Sequence, residues 1–207
     1  MIRRARIISD TSGAAGAEFT LLLPVFLVLI FGIIDGGRWL WIYNQAEKAT
    51  QAGARVAVVT AIIPGGLSET FVGKTIGGTT LTQGDRIPAD ALATVSCTKA
   101  SGAVSCDCPD CSGVTLTPIN ETGWNAIVAR MRAMYPEVSD DKVVVRYRGS
   151  GLGFAGDPNG VDIAPLITVE LQEMSFKPIT AMMLATFDMP SFSTTLTSED
   201  LSGTQSN

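Results

Sequence analysis

The most prominent pattern in the chain is an apolar stretch close to its start. From Phe19 to Ile34 (FTLLLPVFLVLIFGII) sixteen residues carry no charge, and counting back to Ala14 gives twenty-one with Glu18 as the single charged one. About 20 such residues in a helix span the hydrocarbon core of a bilayer. Arg3, Arg4 and Arg6 precede the run against Asp10 alone, and a basic flank of this kind stays in the cytoplasm. The remainder of the chain is therefore expected to be exported. Trp39, Trp41 and Tyr43 follow the run, amphipathic rings of the sort that settle at headgroup level, and Asp35 and Arg38 are spaced to pair on a helix. A cleaved secretory signal would instead end in a small-residue site after the apolar run, and none follows Ile34 directly.

Beyond the run, NQAEKATQAGARVAVVTAII holds good helix formers and no proline until Pro64-Gly65-Gly66. One helix is predicted from about Ala17 to Ile63, roughly 70 Å at 1.5 Å per residue, with Pro24 and Gly36-Gly37 as soft points. Ala46, Ala49, Gly53 and Ala57 recur at spacings of three and four, so they share one narrow stripe. Such a stripe lets another helix approach closely, or it seats the helix on the chain's own domain.

The body reads as a modest α+β domain. KVVVRYR around Val143-Val144-Val145, the alternation Ile167, Val169, Leu171 and the segment Ser191 to Thr197 are predicted strands. Trp124, Ile127, Val128, Met131 and Met134 fall on one face of a helix from Gly123 to Tyr135, which Pro136 ends. Asp157-Pro158-Asn159-Gly160 is a turn sequence, and it lacks the further spaced carboxylates of a calcium loop. The expected fold class is α+β: a long N-terminal transmembrane and amphipathic helix, then a small antiparallel sheet with one or two packed helices.

Composition narrows the chemistry. The 207 residues include no histidine, which excludes serine–histidine and cysteine–histidine catalysis, imidazole metal ligation and a histidine pH switch. Fifteen basic against twenty acidic residues give a net charge of −5, so no basic surplus exists for a nucleic acid partner. Gly-Lys-Thr at 73–75 lacks the glycine spacing of a phosphate loop. No catalytic residues, metal or cofactor are predicted.

Cys97, Cys106, Cys108 and Cys111 lie within fifteen positions in a segment expected outside the cytoplasm, where thiols oxidise. Two disulfides are expected. A turn at Ser101-Gly102 would set Cys97 opposite Cys106 and leave Cys108 and Cys111 as a local pair, although four cysteines allow three pairings. A four-cysteine zinc site competes poorly, because only one CxxC is present.

The string GAAGAEF at 13–19 resembles the processing site of type IV prepilin-like proteins, and GAAGAEFTLLLPVFLVLIFGIIDGGR resembles the TadE/TadG-like family of minor pseudopilins of tight-adherence (Tad, Flp-type) pilus systems. The resemblance is strong over about residues 10 to 60. It implies a pilin-like helix, with Gly13 as the last leader residue, Ala14 as the new N-terminus, Phe19 following, and Glu18 as the acid that meets a neighbouring subunit's amine. The organisation then expected is a leader at 1–13, the transmembrane and extended helix at 14–64, an exported α+β domain at 65–198 and a flexible tail at 199–207.

The function expected is that of a non-enzymatic, membrane-anchored minor pseudopilin. The partners implied are a prepilin peptidase, other pilin or pseudopilin subunits, the Tad assembly machinery and the lipid bilayer. The implied location is the bacterial inner membrane, single-pass, with the N-terminus cytoplasmic and the C-terminal domain periplasmic or extracellular. The alternative is an uncleaved single-pass anchor whose exported domain binds a ligand or envelope component.

Overall fold

The computed structural model describes residues 14–111, 113–158, 160–181, 185–199 and 201, with the side chains of Ala14 and Ala15 left aside. Its first element is one helix, α1 (Ala14–Ala57), with Pro24 inside it. It stops six residues short of the Ile63 expected from sequence. Val59 N–H donates to Val56 O (3.2 Å), a tightened last turn, and the backbone groups that follow find partners elsewhere. Ile63 N–H donates to the Tyr147 hydroxyl (3.3 Å), Asn120 N–H to Ile63 O (2.8 Å), and Gly65 N–H to Pro118 O (2.8 Å). With those bonds available, and with Ile62 and Ile63 buried, tertiary contacts outweigh further helix propagation.

After α1 the chain forms a small hairpin, β1 (Thr75–Ile76) with β2 (Thr79–Thr80), and then a larger one, β3 (Val95–Ala100) with β4 (Ala103–Asp107). Ser101 and Gly102 supply the turn of the larger hairpin, with φ of 53° and 87°. Two successive positive φ values suit the right-handed twist of the flanking strands. Helix α2 (Glu121–Met134) follows, its first turn capped by the Asn120 side chain, which accepts from Gly123 N–H at 3.1 Å. Trp124, Ile127, Val128 and Met131 are buried as predicted, whereas Met134 stays half-exposed.

The remaining strands are β5 (Val143–Arg148), β6 (Leu166–Leu171), β7 (Ser175–Phe176), β8 (Phe187–Asp188) and β9 (Phe192–Thr197). Five of them build one antiparallel sheet in the order β4-β3-β5-β6-β9, and β7 pairs with β8 apart from it. The register aligns Cys106, Cys97, Val145, Val169 and Thr194 across all five strands. Side chains alternate across a strand, so this row and the parallel row Val95, Tyr147, Ile167 belong to the same, inward face. The fold class is thus α+β, with one long apolar helix, antiparallel sheets and a second helix.

Two compact units divide the chain. One comprises α1 up to Ile42 with Ser175–Phe187, and the other Tyr43–Met174 with Asp188–Asn207. In the second, the last turns of α1 pack on α2 and the sheet. Gly53 is placed where a Cβ would meet Met131 Cγ at 2.7 Å and Val169 Cγ1 at 3.2 Å. Only glycine permits that approach.

The long β5–β6 connection is pinned by Asp162, a carboxylate only 5% exposed. It accepts from Phe71 N–H (2.6 Å), Thr70 Oγ1 (2.9 Å), Gly156 N–H (2.8 Å) and Asp157 N–H (3.1 Å). Burial pushes its pKa up, and the donors from Gly156, Phe71, Thr70 and Asp157 outweigh that and hold it below the usual carboxylate range. A depressed carboxylate contributes stability above its unfolded pKa of about 3.9, and the contribution is lost as pH falls through the lower folded value. Asp162→Asn is expected to cost the full chain in detergent about 2–4 kcal/mol at pH 7 in denaturant melts, with the gap to the parent closing below about pH 4. A gap unchanged between pH 7 and pH 3 would show that the charge has no such role.

Candidate functional site

The chemistry available along α1 is that of an apolar rod in which two acids, Glu18 and Asp35, bracket the charge-free run from Phe19 to Ile34. Among the described residues it is the one helix long and apolar enough to cross a membrane, by length and composition, and its apolar window is wholly unburied. Phe19, Leu22, Val25, Phe26, Val28 and Ile33 are each more than half exposed. A face of this size is stable only against lipid or other apolar helices. Thr20 turns its hydroxyl back to Gly16 O at 2.7 Å, which satisfies a polar side chain within the apolar segment.

The two acids are treated differently. Asp35 is 5% exposed, and both carboxylate oxygens are fully engaged by the same chain. Its Oδ1 accepts from Ile179 N–H (2.8 Å) and Arg38 Nη1 (3.0 Å), and its Oδ2 from Thr180 N–H (2.7 Å) and Thr180 Oγ1 (2.9 Å). The predicted Asp35–Arg38 pair exists, and the two backbone amides added to it make the acid a clamp for the segment Ser175–Phe187. Arg38 completes the cluster. Its guanidinium lies 5.4 Å from the centroid of the Phe176 ring and reaches Lys177 O at 3.5 Å. Glu18, by contrast, is exposed, as is Phe19 beside it.

Of the residues expected at a processing site, Gly13 lies outside the described residues together with the rest of 1–13, and Ala14 is the first residue of α1. The small-residue stripe is taken up inside the chain. Ala46 and Ala49 are fully buried, Ala57 is nearly so, and Gly53 abuts Met131 and Val169. Thr50, on the same face, exchanges a hydroxyl contact with Thr194 at 3.1 Å. The stripe therefore seats α1 on its own domain, and small residues are used here for intramolecular close packing.

The cysteines form two disulfides, Cys97–Cys106 and Cys108–Cys111, with Cα–Cα distances of 4.0 Å and 5.4 Å. The first joins residues already opposite one another in the β3–β4 ladder. Among the described residues no group of three acidic or cysteine side chains is arranged to hold a metal ion. Lys74, from the Gly-Lys-Thr sequence, places its ammonium 4.5 Å from the Phe71 ring centroid and 4.0 Å from Glu69 Oε2, within its own domain. What sequence reasoning missed are the amide donors of the Asp35 clamp and the Asp162 anchor, since both depend on partners far along the chain.

Residues 13–55 match the model of a protein family described as TadE-like protein, a segment that coincides with nearly all of α1. No curated protein and no solved structure matches the chain.

Removing the acid of the clamp should free the amides it holds. In Asp35→Ala, hydrogen exchange of the Ile179 and Thr180 amides is expected to accelerate about ten- to a hundredfold, the equivalent of one charge-assisted hydrogen bond or more. Unchanged exchange at both would mean that the segment is held by other contacts.

Proposed function

We infer that this chain, TadE-like over residues 13–55, is a component of a Tad pilus system anchored in the membrane by α1. Within that role we read it as a minor pseudopilin: a prepilin peptidase removes residues 1–13, and the mature chain begins at Ala14. The helix then packs against other pilin or pseudopilin subunits or the Tad assembly machinery, and the disulfide-bonded α+β domain is presented outside the inner membrane. The basic flank Arg3, Arg4 and Arg6 supports a cytoplasmic N-terminus. The work done is structural, by packing and by one ionic contact.

The observation that carries this reading is the unequal treatment of the two acids. Asp35 has four donors of its own, so nothing is left for a partner, while Glu18 stands exposed at the start of an apolar helix. A carboxylate at that depth is tolerable only with a counter-charge. Cleavage after Gly13 would create one, the α-amino group of a neighbouring chain, and the acid would be the fifth residue of each mature subunit. Such a head-to-tail contact does not close on itself and propagates along a helical assembly.

The test combines processing with assembly. Intact mass of the protein extracted from the envelope is expected to show a chain starting at Ala14, and Gly13→Leu is expected to retain residues 1–13. Glu18→Gln is expected to be cleaved normally, to remain in the membrane fraction, and to lower pilus assembly about tenfold or more, because a buried amine left without its partner costs about 3–5 kcal/mol. Material that begins at Met1, with assembly indifferent to Glu18→Gln, would leave an uncleaved single-pass anchor as the reading.

A further inference from the structure

The same unit that contains the apolar helix also contains the segment Ser175–Phe187, and that segment is itself unusually apolar. Pro178–Phe187 (PITAMMLATF) carries no charge, and it is bounded by Lys177 on one side and Asp188 on the other. Ile179 is 38% exposed and Phe187 is 56% exposed. In water these side chains have no reason to be displayed together. Their position along α1 supplies one.

Ala14 to Ile34 is twenty-one residues, about 32 Å of helix, close to the roughly 30 Å thickness of a bilayer core. Asp35 is the first charged residue past that run, so it falls at the boundary. The Ile179 and Thr180 amides are within 2.8 Å and 2.7 Å of its carboxylate, which fixes them at the same level. Just beyond, Leu40 and Trp41 are 56% and 67% exposed, a leucine and an indole in the position of an interfacial belt. Arg38, 41% exposed along its side chain, pairs with Asp35 at 3.0 Å and lays its guanidinium over the Phe176 ring, a charge held at the same level.

The clamp also solves a problem specific to lipid. An amide N–H without a partner is costly where water is scarce, and so is a carboxylate. Here each satisfies the other. We propose that Ile179 and Phe187 form a second membrane contact, entering the interfacial layer of the bilayer beside α1 while Asp35 holds the chain at Ile179 and Thr180 at that depth. The inference rests on the reading of α1 as a membrane anchor. Lipid is the occupant that fits, because Asp35 ties Ile179 and Thr180 to the end of the apolar run of α1 and because ten uncharged residues between Lys177 and Asp188 have the layout of an interfacial insertion.

The full chain carrying Phe187→Trp, reconstituted in vesicles of phosphatidylethanolamine and phosphatidylglycerol, provides the test. Emission added over the parent is measured with acyl-brominated lipid and with aqueous iodide. The expected result is quenching by brominated lipid at least about twofold greater than by iodide, as for an indole at the interface. Adding Asp35→Ala, or Thr180→Pro, which removes one amide and one hydroxyl donor, is expected to reverse that ratio. Preferential quenching by iodide overturns the proposal. So does protection from both quenchers, which would assign the patch to a protein neighbour, and so does a ratio unmoved by both clamp variants. The parent's own Trp39 and Trp41 separate the two levels of inference. If brominated lipid quenches them but not the added indole, only the second contact fails; if it quenches neither, the membrane reading of α1 fails with it.

Discussion

Polar groups are expensive in apolar surroundings, and that single cost organises the first helix of this protein. Sixteen residues from Phe19 to Ile34 avoid it by carrying no charge, and a continuous helix avoids it by bonding its own backbone. The two acids that bracket that run face the cost in opposite ways. Asp35 is neutralised within the chain by Arg38, two amides and a hydroxyl, whereas Glu18 stands exposed. On the reading proposed for it, this helix would be both an anchor and a connector, and which part does which follows from where the donors are.

The domain that follows is built on a different constraint, close backbone approach. Gly53 and the buried alanines of α1 let Met131 of α2 and Val169 of β6 come in tightly, and the row from Cys106 to Thr194 fills the inward face of the sheet. Packing of that density leaves the stripe no free surface. Lateral contacts with other subunits, if made through α1, fall to the apolar residues that precede it.

What the sequence made legible was what is local in the chain. The apolar run, the α2 face around Trp124 and Ile127, and the strands at Val143–Arg148, Leu166–Leu171 and Phe192–Thr197 each depend on residues a few positions apart, so periodicity exposes them. The hairpin turn at Ser101-Gly102 is legible for the same reason. The end of α1 at Ala57 is not, because it is decided by Pro118, Asn120 and Tyr147, more than fifty residues away. Asp35 reads correctly as the partner of Arg38, three positions on, but its amide donors lie 144 and 145 positions on and leave no trace in the local pattern. Asp162 is a similar case: its neighbours suggest a turn, and its function of tying that loop to Thr70 and Phe71 belongs to tertiary structure. The stripe had two readings of equal standing, since small residues look alike whichever backbone they admit.

The disulfides join cysteines separated by nine and by three positions, and the wider of the two links residues that a nascent hairpin already sets face to face. Closing such short loops costs little chain entropy, and the correct thiols meet before remote ones can compete. In oxidising surroundings the first pair can close on its own hairpin and the second within its own turn, without waiting for the strands encoded downstream.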